Sequence, residues 1–567
     1  MKPDIQLLRC MKLIFAALLP ALSPMAAQAA EPIVPPPNAG SILQQAQPVK
    51  PAVPSATGTG LTIEKQDGIQ LPPSVPFTVI SIQITGNTTF DTATLHALVA
   101  DAEGKSLTLA QLGEVVARIT DYYHDHGYSL ARAVIPAQSI KDGVVHVIVV
   151  EAHYGQIRLD NHSSVTDSLL QQTLSSLQPG QVVNQADLDH ALLLLSDIPG
   201  VANTAFLKPG DAVGTSDLQV QANATAPITA SVTLDNYGNR YTGIARLGAN
   251  INVIDPLHHG DILSVSLLTT GADMNYGSVS YETLLNGLGT RAGGSYSALD
   301  YTLGNTLAAL DGHGTAEVGS MWGKQPFIRT PDTNLYGELR YDHKQLVDKI
   351  DATDLDIDRH LDNWTASLNG DWTNTFLAGG TGVWNIGLTA GRVNFDNAAA
   401  EVADSATAKT QGAFTKWAGN VSQLQNLTGN NAVYASLSGQ WSNGNLDASE
   451  KMVAGGAYTV RAYDIAAISG DSGVLGSLEL RHSLGPAFGG QLQVLSFVDS
   501  EHVTVNKNSW VSGANGATLS GAGMGLNWYG QDQWLAKAYI AAPIGTTPVL
   551  VGSNNSGRAW VEIDKAF

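Results

Sequence analysis

From Ala230 to Phe567 no helical periodicity persists. Segments of roughly ten residues instead alternate polar and apolar side chains, separated by Gly, Asn and Asp turns. Examples are "ARLGANINVI", "DILSVSLLTTG", "YGSVSYETLL", "NWTASLNGDW", "VWNIGLTAG", "VYASLSGQW", "SLELRHS" and "WLAKAYIAAP". A period of two puts one class of side chain on each face of a sheet. About sixteen such segments are present, an even number, as a single-chain bacterial outer-membrane barrel requires. Composition supports a wall with one wet and one greasy face. Charged residues are 14% of the chain, and there are 58 glycines, whereas soluble domains carry roughly 25% charge. The competing reading is an array of soluble β-sandwiches. A formal charge of −20 argues against a nucleic-acid binder. A hydrophobic content of 44% is too high for a disordered chain.

The N-terminus predicts a route to the envelope. Lys2, Arg9 and Lys12 precede the apolar run Leu13 to Leu22, and Ala27-Gln28-Ala29 follows. That order is the one a secretory signal peptide has, with residues 1–29 removed. The single cysteine, Cys10, lies before the apolar run, so the remaining chain is expected to hold no disulfide and no thiol chemistry. Residues 30–76 are rich in proline ("EPIVPPPNAG", "QPVKPAVPSATGTG", "LPPSVP") and read as an extended linker in which proline prevents helix and sheet. Within it "SILQQAQ", Ser41 to Gln47, has room for two helical turns, too few to be stable alone.

Between linker and barrel lies a repeat. "FTVISIQITG" alternates as a strand; "TATLHALVADAEG" and "TLAQLGEVVARITDYYHDHG" follow with helical spacing; "YSLARAVIPAQ" and "GVVHVIVVEA" are strands again. In the second helix Leu109, Leu112, Val116, Ile119 and Tyr123 form one apolar face, and Gly127 ends it. The order β-α-α-β-β then recurs from "YGQIRLDN" to "SDLQVQANAT". The expected organisation is two α+β units, 77–151 and 152–226, ahead of an antiparallel barrel over 227–567.

The two units hold no catalytic constellation. His124 and His126 are two apart at a helix end and share no face, and His258-His259 sits in a turn. No phosphate-binding glycine loop follows a strand. No cofactor, no metal and no enzymatic activity are expected. What the units offer is a sheet edge able to capture an extended polypeptide by strand addition. "LARAVIPAQ" is the candidate, with Arg132, Val134, Ile135, Pro136 and Gln138, because Pro136 cannot donate to a central ladder. The bland alternative is that this strand packs only its own unit.

Three stretches resemble one family, the TpsB transporters of two-partner secretion. "LTLAQLGEVVARITDYYHDHGYSLARAVIPAQSIKDGVVHVIVVEA" is similar to the family's first POTRA domain, with its Gly-Tyr, Ile-Pro-x-Gln and Asp-Gly-x-Val steps. "LDNYGNRYTGIARLGANINVIDPLHHGDILSVSL" resembles the join of the first two barrel strands. "AYTVRAYDIAAISGDSG" resembles the Val-Arg-Gly-Tyr/Phe loop between the eleventh and twelfth strands.

The resemblance implies that the loop near 443–472 folds into the barrel lumen. Arg461, beside Val460 and Tyr463, would there meet an inward aspartate of a Phe-x-Asp motif, which "LSFVDSEHV" supplies as Phe497 and Asp499. A guanidinium in a partly desolvated lumen needs such a carboxylate, held fork to fork. Ala462 stands where the family has Gly; if that position needs a positive φ, alanine costs roughly 1 kcal/mol. Phe567, ending "RAWVEIDKAF", resembles the assembly signal of outer-membrane barrels, from which Lys565 departs.

The implied function is an outer-membrane pore that recognises one unfolded exoprotein, an adhesin or a haemolysin, through its periplasmic POTRA domains and exports it. Outer-membrane lipid, lipopolysaccharide and the barrel-assembly machinery would be its other partners. A BamA-like or TamA-like assembly factor is the alternative, though those relatives usually carry more than two POTRA copies; a plain diffusion porin would need no periplasmic tandem.

Overall fold

A computed structural model describes residues 36–47, 55, 57–63, 72–427, 429–551 and 557–567. The expected signal peptide lies outside the described residues. The alternating segments form sixteen antiparallel strands, Ile228–Asp235 to Arg558–Ala566, paired in chain order and closed last to first. Each strand turns its alternate residues inward. On the thirteenth, Gly490–Thr504, Leu495, Phe497, Asp499, Glu501 and Val503 are buried, while Val498 between them is exposed.

Strand length departs from the ten-residue expectation. Strands six to eight, Gly312–Arg329, Thr333–Ile350 and Leu355–Asn374, run to 18, 18 and 20 residues. At about 3.4 Å per residue this far exceeds an apolar belt of about 25 Å. The periodicity shows only as much alternation as lipid and lumen impose, and the ladder continues past it.

Ahead of the barrel, two sheets share one strand order. In the first, Ser81–Thr85 lies parallel to Val144–Val150, which also pairs antiparallel with Arg132–Val134. In the second, His153–His162, Thr215–Ala224 and Val201–Pro209 repeat that arrangement. The helix Leu109–Asp125 begins at a capping box between Thr108 and Gln111. It buries Leu112, Val116, Ile119 and Tyr123, and Gly127 follows with φ +87.

Two sequence expectations need correction. The strand expected across "YSLARAVIPAQ" shrinks to Arg132–Val134. Before it Ala131 N–H turns back to Tyr128 O, and beyond it Pro136 has no donor. The proline-rich segment is not uniformly without structure: Ala39–Ala46 is a helix and Leu61–Ile63 a strand. Both fall in windows free of proline, between Pro37 and Pro48 and between Pro54 and Pro72, so the missing donors do not bear on them.

Candidate functional site: a loop and a helix held in the barrel lumen

The connection between the eleventh strand, Asn431–Ser442, and the twelfth, Ser472–Ala487, carries a short hairpin, Met452–Ala454 with Ile468–Gly470. Its tip is buried: Val460 is 0% and Arg461 6% exposed. Arg461 meets Asp499, an inward-facing residue of the thirteenth strand, so the loop folds into the lumen.

The guanidinium of Arg461 lies fork to fork on Asp499. Nε donates to Oδ2 at 2.8 Å and Nη2 to Oδ1 at 2.7 Å, and the Arg461 backbone N–H reaches Oδ2 at 3.2 Å. The remaining Nη1 donates to Glu479 Oε1 at 2.7 Å. The other oxygen of Glu479 takes a second fork, from Arg481, at 2.8 and 2.6 Å. Ser477 completes the set, donating to Asp499 Oδ1 at 2.7 Å. Two cations and two anions cancel, the condition for keeping such charges from water. The Phe497 ring lies under the guanidinium, its centroid 3.4 Å from Cζ, a cation–π placement. Trp560 Nε1 holds the Arg461 carbonyl at 2.7 Å.

Ala462 needs no left-handed backbone: the loop's positive φ falls on Ala466, at +51, and on Gly455 and Gly456. A Cβ on Gly521 would stand 2.4 Å from that of Ala462. The methyl at 462 is therefore accommodated by the missing side chain opposite. Tyr463 is buried beside it in the same apolar cluster as Val460.

The second occupant of the lumen is the helix Ala39–Ala46. Asn38 caps it, sharing a capping box with Ser41. Ile42 and Leu43 bury against Leu299, Tyr301, Leu346 and Phe414 of the wall. Eight residues do not hold a helix in water, so this packing is what keeps it. Its ends meet opposite charges, as the peptide dipole favours. Ala39 N–H donates to Asp348 Oδ1 at 2.6 Å, and Arg246 Nη1 donates to the Gln45 carbonyl at 3.1 Å. Arg246 is itself forked onto Asp235.

Helix and loop share a wall. Arg359 bridges Asp348, beside the helix, to Asp447 of the loop at 2.7 and 2.6 Å. Glu450 of the loop takes Lys344 and Lys416 at 2.5 and 2.7 Å. A Cβ on Gly40 would come within 2.6 Å of Ser449 N, so helix and loop touch backbone to backbone. Sequence reasoning did not name Glu479, Arg481, Asp348, Arg359, Asp447 or Glu450. Their signal was charge at inward positions of a charge-poor chain, which becomes legible only once the register says what lies opposite.

The pattern described as haemolysin secretion/activation protein ShlB/FhaC/HecB matches residues 214–528, more than half of the chain, and a ShlB-type POTRA domain matches residues 77–152. The chain belongs to the ShlB/FhaC/HecB family. It is similar to the heme/hemopexin transporter protein HuxB of Haemophilus influenzae, 27% identical over 544 residues, 94% of this chain and 95% of HuxB. It is also similar to outer membrane transporter CdiB of Escherichia coli, 28% identical over 423 residues, 72% of this chain and 69% of CdiB. The solved CdiB from Escherichia coli shares the fold, with a TM-score of 0.69 and 23% identity across 89% of this chain and 93% of that one. This ShlB/FhaC/HecB protein is an outer-membrane transporter of two-partner secretion, with POTRA domains on the periplasmic side. Of the readings left open by the sequence, barrel assembly gives way to secretion.

The other sequence candidates are placed as follows. Arg132 and Val134 lie on an edge strand, but the edge is partly closed: Ala133 N–H donates to Thr120 Oγ1 at 3.0 Å. Ile135 and Pro136 lie beyond the strand. Gln138 clasps the His146 backbone with both ends of its amide, at 2.7 and 2.9 Å. His124 and His126 bind the Ala131 and Tyr122 carbonyls, and His258 lies 3.7 Å from Asp255. Phe567 exchanges backbone hydrogen bonds with Ala230 at 2.8 and 3.3 Å. Lys565 lays its ammonium over the rings of Trp534 and Phe567, 5.6 and 5.1 Å from their centroids, so the departing lysine joins the aromatic end of the strand.

Proposed function

We propose that the lumen is a channel for one unfolded exoprotein, kept shut by the helix Ala39–Ala46 and by the loop that Arg461 and Asp499 lock. The carrying observation is that both occupants are held by side-chain contacts and none of the sixteen strand pairings depends on them. They can leave while the barrel remains closed on itself. Export then needs no catalytic step: folding of the cargo outside draws it through. The POTRA units, spanning 77–151 and 152–226 with the barrel from 227, would receive the cargo, an adhesin or a haemolysin. Lipopolysaccharide and the barrel-assembly machinery would be met at the outer face and during insertion.

Deleting the chain and comparing proteins in the culture medium tests this. One large protein should disappear from the medium and return on complementation. An unchanged medium, with other barrel proteins lost from the outer membrane, would overturn export in favour of assembly.

A further inference from the structure

Glu450 carries an anion of the lumen loop to the wall. It ends the short helical turn Ala448–Glu450 and is buried. Its Oε1 accepts from Lys344 Nζ at 2.5 Å and from Asn363 Nδ2 at 2.7 Å. Its Oε2 meets Lys416 Nζ at 2.7 Å. Lys344, Asn363 and Lys416 stand on the seventh, eighth and tenth strands, so three strands of the wall converge on one carboxylate. Lys416 and Gln440 also donate to the Glu450 backbone carbonyl, at 3.0 and 2.9 Å.

The two lysines differ from other cations of the lumen in where their counter-charge lies. Arg246 pairs with Asp235, Arg359 with Asp348, Arg481 with Glu479 and Lys537 with Glu562, all within the wall. Those pairs stay neutral whatever the loop does. Lys344 and Lys416 share Glu450 and, among the described residues, have no ion pair with a wall carboxylate. Asp342, two residues before Lys344 on the same face, is already held by Arg340 and Ser320 at 2.7 and 2.6 Å. Withdrawing the loop therefore leaves two ammonium groups and an amide aimed at one point, with their charge unanswered. Glu450 marks what fits there: one carboxylate, with an oxygen for each lysine.

We propose that Lys344, Asn363 and Lys416 form a carboxylate-binding site of the open pore, filled at rest by Glu450 and during export by acidic side chains of the exoprotein. The proposal rests on the transport reading above. In an unfolded chain aspartate and glutamate are not engaged by a fold, and a chain threading the lumen carries them past the seat. One seat cannot hold two carboxylates, so cargo in the pore keeps the loop from closing. Ion pairs in a wet pore are weak, which suits a site that must pass its ligand on.

Two variants separate the seat from its resting occupant. Glu450→Gln loosens the loop but keeps both lysines. Lys344→Gln with Lys416→Gln loosens the loop and removes the seat.

In planar bilayers both purified full-length variants should open more often than wild type. Decaglutamate should interrupt the open-channel current of wild type and of Glu450→Gln. In the double lysine variant the interruptions should be shorter by roughly tenfold, as expected for losing two weak ion pairs. Decaglutamine, of equal length and uncharged, should give no comparable interruptions. Equal interruptions by the two peptides would overturn the site, and that comparison in wild type needs no variant to assemble. Unchanged interruptions in the double lysine variant, or wild-type opening by Glu450→Gln, would overturn it as well. Free glutamate acting as strongly at the same carboxylate concentration would make this a site for small anions and overturn the cargo as its occupant. If deleting the chain leaves the medium unchanged, the transport reading fails and the cargo with it, while the peptide interruptions still judge the carboxylate site.

Discussion

Each nitrogen of the Arg461 guanidinium has a hydrogen-bond partner, and the consequences of removing it are unequal across the site. Arg461→Ala strands Asp499 with only the Ser477 hydroxyl and the backbone N–H of residue 461, both uncharged, whereas Asp499→Ala leaves Arg461 with Glu479. Breaking a buried pair costs about 3–5 kcal/mol, so both variants should lower the thermal midpoint of the assembled barrel, Arg461→Ala more. The double variant should fall short of the sum, with a coupling of about 0.5–3 kcal/mol. Strict additivity in thermal unfolding would show that the fork carries no energy of its own. Arg461→Lys should not rescue, since an ammonium cannot make the fork. A second residue is tuned outside the membrane. Burial of Glu151 works to raise its pKa, but donors from Thr88, Tyr123 and the Thr89 backbone prevail and bring it to about 2 from 4.5. A depressed carboxylate stabilises fully above its ordinary value and loses that contribution as pH falls from 4.5 toward 2. Glu151→Gln should therefore weaken hydrogen-exchange protection at Thr88 and Thr89 at neutral pH, by about 1–3 kcal/mol for the unsatisfied donors. The gap from wild type should close in that acid window; a gap unchanged at low pH would assign the effect to packing.

At the scale of elements, the helix Ala39–Ala46 and the loop after the eleventh strand support each other. Gly40 is the point of closest approach, and any side chain there must push Ser449 away. Gly40→Ala should raise the frequency of open events in planar bilayers without reducing barrel yield; recordings identical to wild type would mean the contact has slack. The sequence showed that "SILQQAQ" could form two turns, and the proline on each side set its limits. It could not show whether those turns form, because a helix of this length exists only where a wall packs against it. The strand Leu61–Ile63 was hidden for the same reason. Three residues make no periodic signal, and their partner lies some 140 positions further along the chain, at Ala205–Leu207. Conversely, the helix Leu109–Asp125 was legible in full, since its apolar face repeats within its own length.

The barrel closes through its sixteenth strand, Arg558–Ala566, which pairs with the first over Ser231–Asp235. Phe567 completes the ladder to Ala230, yet two backbone bonds contribute only about 1 kcal/mol each. Deleting Phe567 should reduce the amount of heat-modifiable barrel in the outer membrane while the barrels that do assemble melt almost as wild type. A large fall in the melting point with normal yield would make the residue structural rather than a signal. Local and periodic features of the sequence determined the two repeated units, the sixteen strands, their alternation and the membrane they cross, because period-two patterning and turn residues act within a few positions of themselves. The pairing of Arg461 with Asp499 was reached from the sequence only through the family it resembles. Which charges answer Glu479, Asp348 and Glu450, how far strands six to eight run past the lipid, and that the helix Ala39–Ala46 joins the loop in the lumen were decided by tertiary structure alone. Those depend on register around a closed barrel and on contacts between segments hundreds of residues apart, such as Ala39 with Asp348. A buried charge is specified by whatever three-dimensional packing sets opposite it.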